Sequence, residues 1–141
     1  ERTHRRELER LAADLGLDGR AVLGDAVPRA EIPGLFATHD ALVNNMRAGA
    51  PDKVVYEAAA GCLPVLASNP VFDSLLDEEQ RFRREDPAGL AERIRTLAAM
   101  SQTDRAEIGR RLRERVEAGH SVQSWARGIL DAAGITELDS E

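Results

Sequence analysis

Nineteen residues of this chain are lysine or arginine, and only one of them, Lys53, is lysine. It lies in Gly49-Ala50-Pro51-Asp52-Lys53-Val54-Val55-Tyr56-Glu57, where a glycine loop runs into helical spacing. The first amides of a helix have no internal partner, and the helix dipole adds positive charge there, so helix starts bind anions. Glu57 follows one turn along the same face. A cation beside free amides, then a carboxylate one turn on, suits a nucleotide diphosphate and its ribose. The same spacing also describes an ordinary surface ion pair, which is common and weak.

Other chemistries find less support. No Asp-x-Asp pair is present to clamp a metal–diphosphate, and no Gly-x-Gly-x-x-Gly or Walker-type loop is present. One cysteine and three scattered histidines give no zinc spacing. No serine sits in a Gly-x-Ser-x-Gly elbow. His39 lacks a partner for general-base work and reads as a surface or capping residue. His120 falls at a helix end, where a histidine is electrostatically ordinary. The run Arg110-Arg111-Leu112-Arg113-Glu114-Arg115 is diluted by Glu107, Glu114 and Glu117, the pattern of a solvated helix face. Trp125, spaced helically with Ile129, is expected in the core.

The elements that must position Lys53 and Glu57 follow from periodicity. A helix is expected over 3–15, closed by Gly16. Ala21-Val22-Leu23 reads as a buried strand, and 29–38 as a short helix. A second strand spans Asp40–Asn45, with polar residues at its C-terminal end. The helix over 51–61 has Pro51 in its first turn and Gly61 as its C-cap. Pro64–Ala67 is a third strand, broken by Ser68-Asn69-Pro70. A helical turn over 71–79 and an edge strand at Arg81–Arg83 come next. Three helices close the chain, from Pro87, over 103–118 and over 121–133. Short apolar strands alternating with helices define an α/β protein with a parallel sheet covered on both faces. Ligands of such sheets sit beyond the carboxyl ends of the strands.

The chain has 141 residues, 43% hydrophobic and 31% charged, with 4% aromatic and a net charge of −6. That is one globular domain with a real core. The negative charge argues against a sequence-independent nucleic-acid binder. A single cysteine excludes an internal disulfide and permits a reducing compartment, so a cytoplasmic location is expected. No apolar run is long enough to cross a bilayer. The opening Glu1-Arg2-Thr3-His4 begins in mid-pattern without an initiator methionine, as in a piece of a longer protein or a processed product.

The segment Leu8–Ser68 resembles the C-terminal, donor-binding domain of GT-B fold glycosyltransferases, in particular the retaining family 4. Glu57-Ala58-Ala59-Ala60-Gly61-Cys62-Leu63-Pro64-Val65-Leu66-Ala67-Ser68 is similar to that family's Glu-Ala-Met-Ala-x-Gly-x-Pro-Val-Val-Ala-Ser. Val22-Leu23-Gly24-Asp25-Ala26-Val27-Pro28, Glu31–Phe36 and Asp86-Pro87 fit the same pattern. The resemblance implies a Rossmann-like parallel sheet flanked by helices over 1–133, followed by an acidic tail over 134–141. It implies transfer of a sugar from a nucleotide-diphosphate sugar to an acceptor hydroxyl, retaining and without metal or other cofactor. Glu57 would take the ribose hydroxyls, and Lys53 with the backbone of Gly49 and Ala50 the diphosphate. Arg47 would belong to the same donor-binding loop, and backbone near Val27 would meet the base.

Two departures from the family pattern stand out. Gly49 occupies the place of a glutamate associated with the donor sugar, and Asn45-Met46 replaces Pro-Ser. A branch in which lysine takes over that role and a non-catalytic nucleotide-binding or scaffold module both remain open. A phospho-acceptor receiver domain, also α/β, needs clustered acids at its first strand, which are absent. The resemblance also implies two further strands between those at 21–23 and 41–44, and an upstream acceptor domain able to touch a membrane peripherally. On that basis the 141 residues alone are expected to be inactive.

Overall fold

A computed structural model describes residues 2–134, so the acidic tail expected over 134–141 lies outside the described residues from 135 onward. The chain divides into two units, Glu1–Ile32 and Pro33–Glu141.

In the first unit, α1 (Arg2–Asp14) carries Leu8 and Leu11, and Leu15 follows just after it at the same helical spacing. All three are exposed. Gly16 ends the helix at φ +65°, with its amide on the Ala13 carbonyl at 2.9 Å and that of Leu17 on Ala12 at 2.8 Å. This crossed pair closes the orphan carbonyls of the last turn. The strand expected at Ala21–Leu23 does not form. The segment is irregular, and Val22 is 83% exposed. The Leu23 carbonyl accepts from the Arg5 guanidinium at 2.6 Å, and Arg5 also meets Asp25 at 2.7 Å. A side chain thus holds a carbonyl that a strand would give to a ladder neighbour.

The second unit contains α2 (Ile32–Ala37, beginning at the boundary), β1 (Leu42–Asn44), α3 (Lys53–Ala60) and β2 (Val65–Ala67). α4 (Pro87–Ala99), α5 (Gln102–Gly119) and α6 (Val122–Ala132) follow. β1 and β2 pair in parallel, Leu42 beside Val65 and Asn44 beside Ala67. The result is a mixed α/β unit built on a small two-stranded parallel sheet, compact around α3. Val55, Ala58 and Ala59 of α3 pack with Val65 and Ala67 of β2, and with Phe72, Leu75, Leu97, Ile108 and Leu112.

Small residues let α5 approach α3 closely. A Cβ on Gly109 would stand 1.9 Å from the Cys62 carbonyl oxygen. The left-handed residue after α3 is Cys62 (φ +59°); Gly61, the expected cap, keeps φ −80°. Leu63 and Cys62 donate to the Ala58 and Ala59 carbonyls, both at 3.0 Å, so the turn is a full helix-ending motif with cysteine at its strained position. Pro51 also falls outside the helix. Asp52 is the N-cap, and Lys53 the first helical residue.

The edge strand expected at Arg81–Arg83 is reduced to one parallel bridge, Ala67 to Arg81. The Gln80 amide side chain donates to the Val65 carbonyl at 3.1 Å, occupying an acceptor on the outer edge of β2. Trp125, expected in the core, is 68% exposed, and α6 has no buried residue. The arginines of α5 pair with its glutamates, Arg113 with Glu117 at 2.8 Å and Arg110 with Glu107 and Glu114, along an exposed face. No helix among the described residues is long and apolar enough to cross a membrane.

Candidate functional site

The carboxyl end of β1 opens into the loop 45–52, which ends at the first turn of α3. Asn44 closes the strand and is 6% exposed. A polar side chain at the end of an apolar strand must find partners. Its amide donates to Asp52 Oδ2 at 3.0 Å, and Asp52 Oδ1 accepts from the Val54 amide at 3.3 Å. Asn44 Oδ1 is buried without a partner among the described residues. The loop is pinned from β2 as well. Ser68 Oγ donates to the Met46 carbonyl at 3.0 Å. Asn69 Nδ2 lies 3.4 Å from the carbonyls of both Gly49 and Ala50, and its Oδ1 accepts from the Val71 amide at 3.2 Å.

These contacts use the carbonyls of Met46, Gly49 and Ala50. The amides of Arg47, Ala48, Gly49 and Ala50 have no hydrogen-bond partner among the described residues, and all four residues are exposed. Gly49 adopts φ +145°, a conformation side chains rarely take. A glycine therefore suits the backbone at this position.

Lys53 is exposed at the first position of α3, and Glu57 stands half-buried one turn further. The helix start is less open than its spacing implies. The Asp52 carboxylate already takes the Val54 amide, and the Val55 amide donates to the Asp52 carbonyl at 3.2 Å. An anion here would meet Lys53 and the loop amides before it met the helix.

Beside the loop lies a cavity of about 970 Å³. Its walls are Arg47 and Ala48, the turn after β2, Arg81–Arg84 and the start of α4. Of the residues singled out from sequence, Arg47, Gly49, Ala50, Lys53 and Glu57 fall on this loop and helix, and Arg47 alone lines the cavity. Val27 belongs to the first unit and is exposed. Asn44, Asp52, Ser68 and Asn69 hold the site and were not among those singled out. The one signal for them was polar residues at strand ends. Arg81 Nε is also buried without a partner among the described residues, while its Nη1 pairs with Asp73 at 3.2 Å. No group of three His, Cys, Asp or Glu among the described residues comes together as a metal site.

An α/β unit with an open loop at the carboxyl end of a parallel strand is the arrangement of a small-molecule-binding domain. A family model described as glycosyl transferase-like matches residues 4–131, and the chain belongs to that family. Comparison with curated proteins and with solved structures gives no match. Membership supports glycosyl transfer as the general function.

Proposed function

We propose that this chain is the donor-binding, C-terminal half of a retaining GT-B glycosyltransferase of family 4, working in the cytoplasm with an upstream acceptor domain. It holds a nucleotide-diphosphate sugar over the loop 47–52 and the first turn of α3. The carrying observation is the row of exposed, unpartnered amides from Arg47 to Ala50, in a loop that Asn69 and Ser68 hold by its carbonyls and that leads into Lys53. Lys53, Arg47 and these amides neutralise the diphosphate and stabilise the charge that grows on it as the sugar leaves. Glu57 accepts hydrogen bonds from the ribose hydroxyls, about 6 Å further along the helix. A cation and backbone donors do the work of a metal, so the transfer is metal-independent.

The conformation of Gly49 favours a second reading, a nucleotide-binding module without transfer. Its φ of +145° leaves no easy place for a glutamate against the donor sugar.

Calorimetric titration of the intact protein with uridine and guanosine diphosphates tests the site. Lys53→Ala and Glu57→Gln should each weaken binding about tenfold, the worth of one charge-assisted contact. Equal affinity in both variants and the wild type sinks the assignment. Sugar transfer that persists in excess chelator supports the metal-free mechanism; loss restored by added Mn²⁺ contradicts it. Nucleotide binding without transfer to any acceptor selects the second reading.

A further inference from the structure

Besides Arg47, the cavity beside the loop carries four arginines that the donor site does not use. Five arginines line it in a chain whose net charge is −6. Two of them are committed, Arg81 to Asp73 at 3.2 Å and Arg84 to Glu85 at 2.7 Å. Arg93 uses only its Nε, which donates to the Arg81 carbonyl at 3.1 Å and ties α4 to the turn after β2. Its two terminal nitrogens stay available. Arg47 and Arg83 make no ion pair among the described residues.

The acids of the wall are placed differently. Asp86 is engaged as the cap of α4, accepting from the Gly89 amide at 2.9 Å. Glu78 and Glu92 are exposed, where water screens them, whereas Arg93 is half-buried. Arg93 is therefore less hydrated than these two acids, while Arg83 is exposed as they are, and a guanidinium fork is matched to carboxylate and phosphate oxygens. The interleaved acids oppose an extended polyanion, but they accept hydrogen bonds from hydroxyls. A volume of about 970 Å³ is at the large end for a small-molecule site and has room for more than one sugar ring.

We propose that this cavity is a binding site for an acidic carbohydrate, a sugar bearing a carboxylate or phosphate, distinct from the nucleotide. Arg83 and Arg93 grip the oxyanion, and Glu78 and Glu92 take hydroxyls at the rim.

The test is calorimetry on the intact protein with glucuronate, glucose 6-phosphate and, as the neutral probe, glucose. At least one acidic sugar should bind, and glucose should bind at least tenfold more weakly. Arg83→Ala should weaken the acidic sugar about tenfold, and Arg83→Lys should recover part of the loss. The thermal midpoint should stay unchanged, because Arg83 is exposed and holds no other element. Nucleoside diphosphate affinity should be untouched by Arg83→Ala. Acidic sugars that bind no better than glucose, or equally well to Arg83→Ala, overturn the proposal. So does an Arg83→Ala protein that loses nucleoside diphosphate while acidic sugars fail to compete, since the cavity then belongs to the donor. A wild type that binds acidic sugar and no nucleotide refutes the donor reading alone.

Discussion

The Asn44 side-chain amide donates to Asp52 Oδ2 at 3.0 Å, across the whole loop that separates β1 from α3. One carboxylate thereby ends a strand, caps a helix and fixes both ends of the segment 45–51. The loop between is held at three of its carbonyls as well, that of Met46 by Ser68 and those of Gly49 and Ala50 by Asn69.

Replacing Asp52 should therefore cost more than an ordinary cap. Asp52→Ala removes the acceptor for the Val54 amide, worth about 1 kcal/mol. It also leaves the buried Asn44 amide without its partner, which adds about 1–3 kcal/mol. Asp52→Asn keeps an oxygen for Val54 and should lose less than half as much. Denaturant unfolding of the three proteins measures this. An alanine variant as stable as wild type would show that Asn44 does not depend on Asp52.

Gly109 makes a second demand. A Cβ there would meet Cys62 backbone at 1.9 Å and 2.7 Å, and the Cys62 carbonyl is fixed by the turn that ends α3. Gly109→Ala must push α5 off α3, at a cost of about 1–3 kcal/mol or more. Gly128, inside α6, has nothing within 4 Å of the same added carbon. Gly128→Ala should stabilise by about 0.5–1 kcal/mol, through helix propensity alone. Melting curves of the two variants should move in opposite directions; a shift of both the same way would contradict the packing of α3 on α5.

The sequence made some of this legible and hid the rest for physical reasons. Helices α4 and α5 were readable because the spacing of Leu90, Ile94 and Leu97, and of Ile108, Leu112 and Val116, is local. The Lys53–Glu57 spacing was readable for the same reason. Strands depend on a neighbour. Ala21–Leu23 has the apolar composition of a strand, yet Arg5 takes the Leu23 carbonyl. Arg81–Arg83 yields to Gln80, whose side chain takes the Val65 carbonyl on the edge of β2. Gly61 looked like the residue for the left-handed turn, but the turn falls one place later, at Cys62. The anchors of the candidate site act over long separations. Asn69 reaches back about twenty residues to Gly49 and Ala50, and no spacing rule announces such a contact. The arginine-lined cavity is likewise assembled from the loop after β1, the turn after β2 and the start of α4.

Tyr56 offers a readout of the core beside this site. It is the only tyrosine. Its ring meets Phe72 edge-on at 5.5 Å and His120 at 4.6 Å. Burial pushes its phenol pKa up, because the phenolate loses hydration there. In the unfolded chain the group titrates near pH 10. Between that value and the higher folded one, the unfolded chain has given up a proton that the folded chain keeps. The contribution of Tyr56 is thus fully present below about pH 10 and is lost as pH rises through the folded pKa. Phenolate absorbance should appear at higher pH in the folded protein than in urea, with no second tyrosine to confuse it. Tyr56→Phe should change stability little at pH 7 and make it fall less steeply above pH 10. Identical alkaline profiles for the variant and the wild type would place the Tyr56 hydroxyl in water and refute its burial against Phe72.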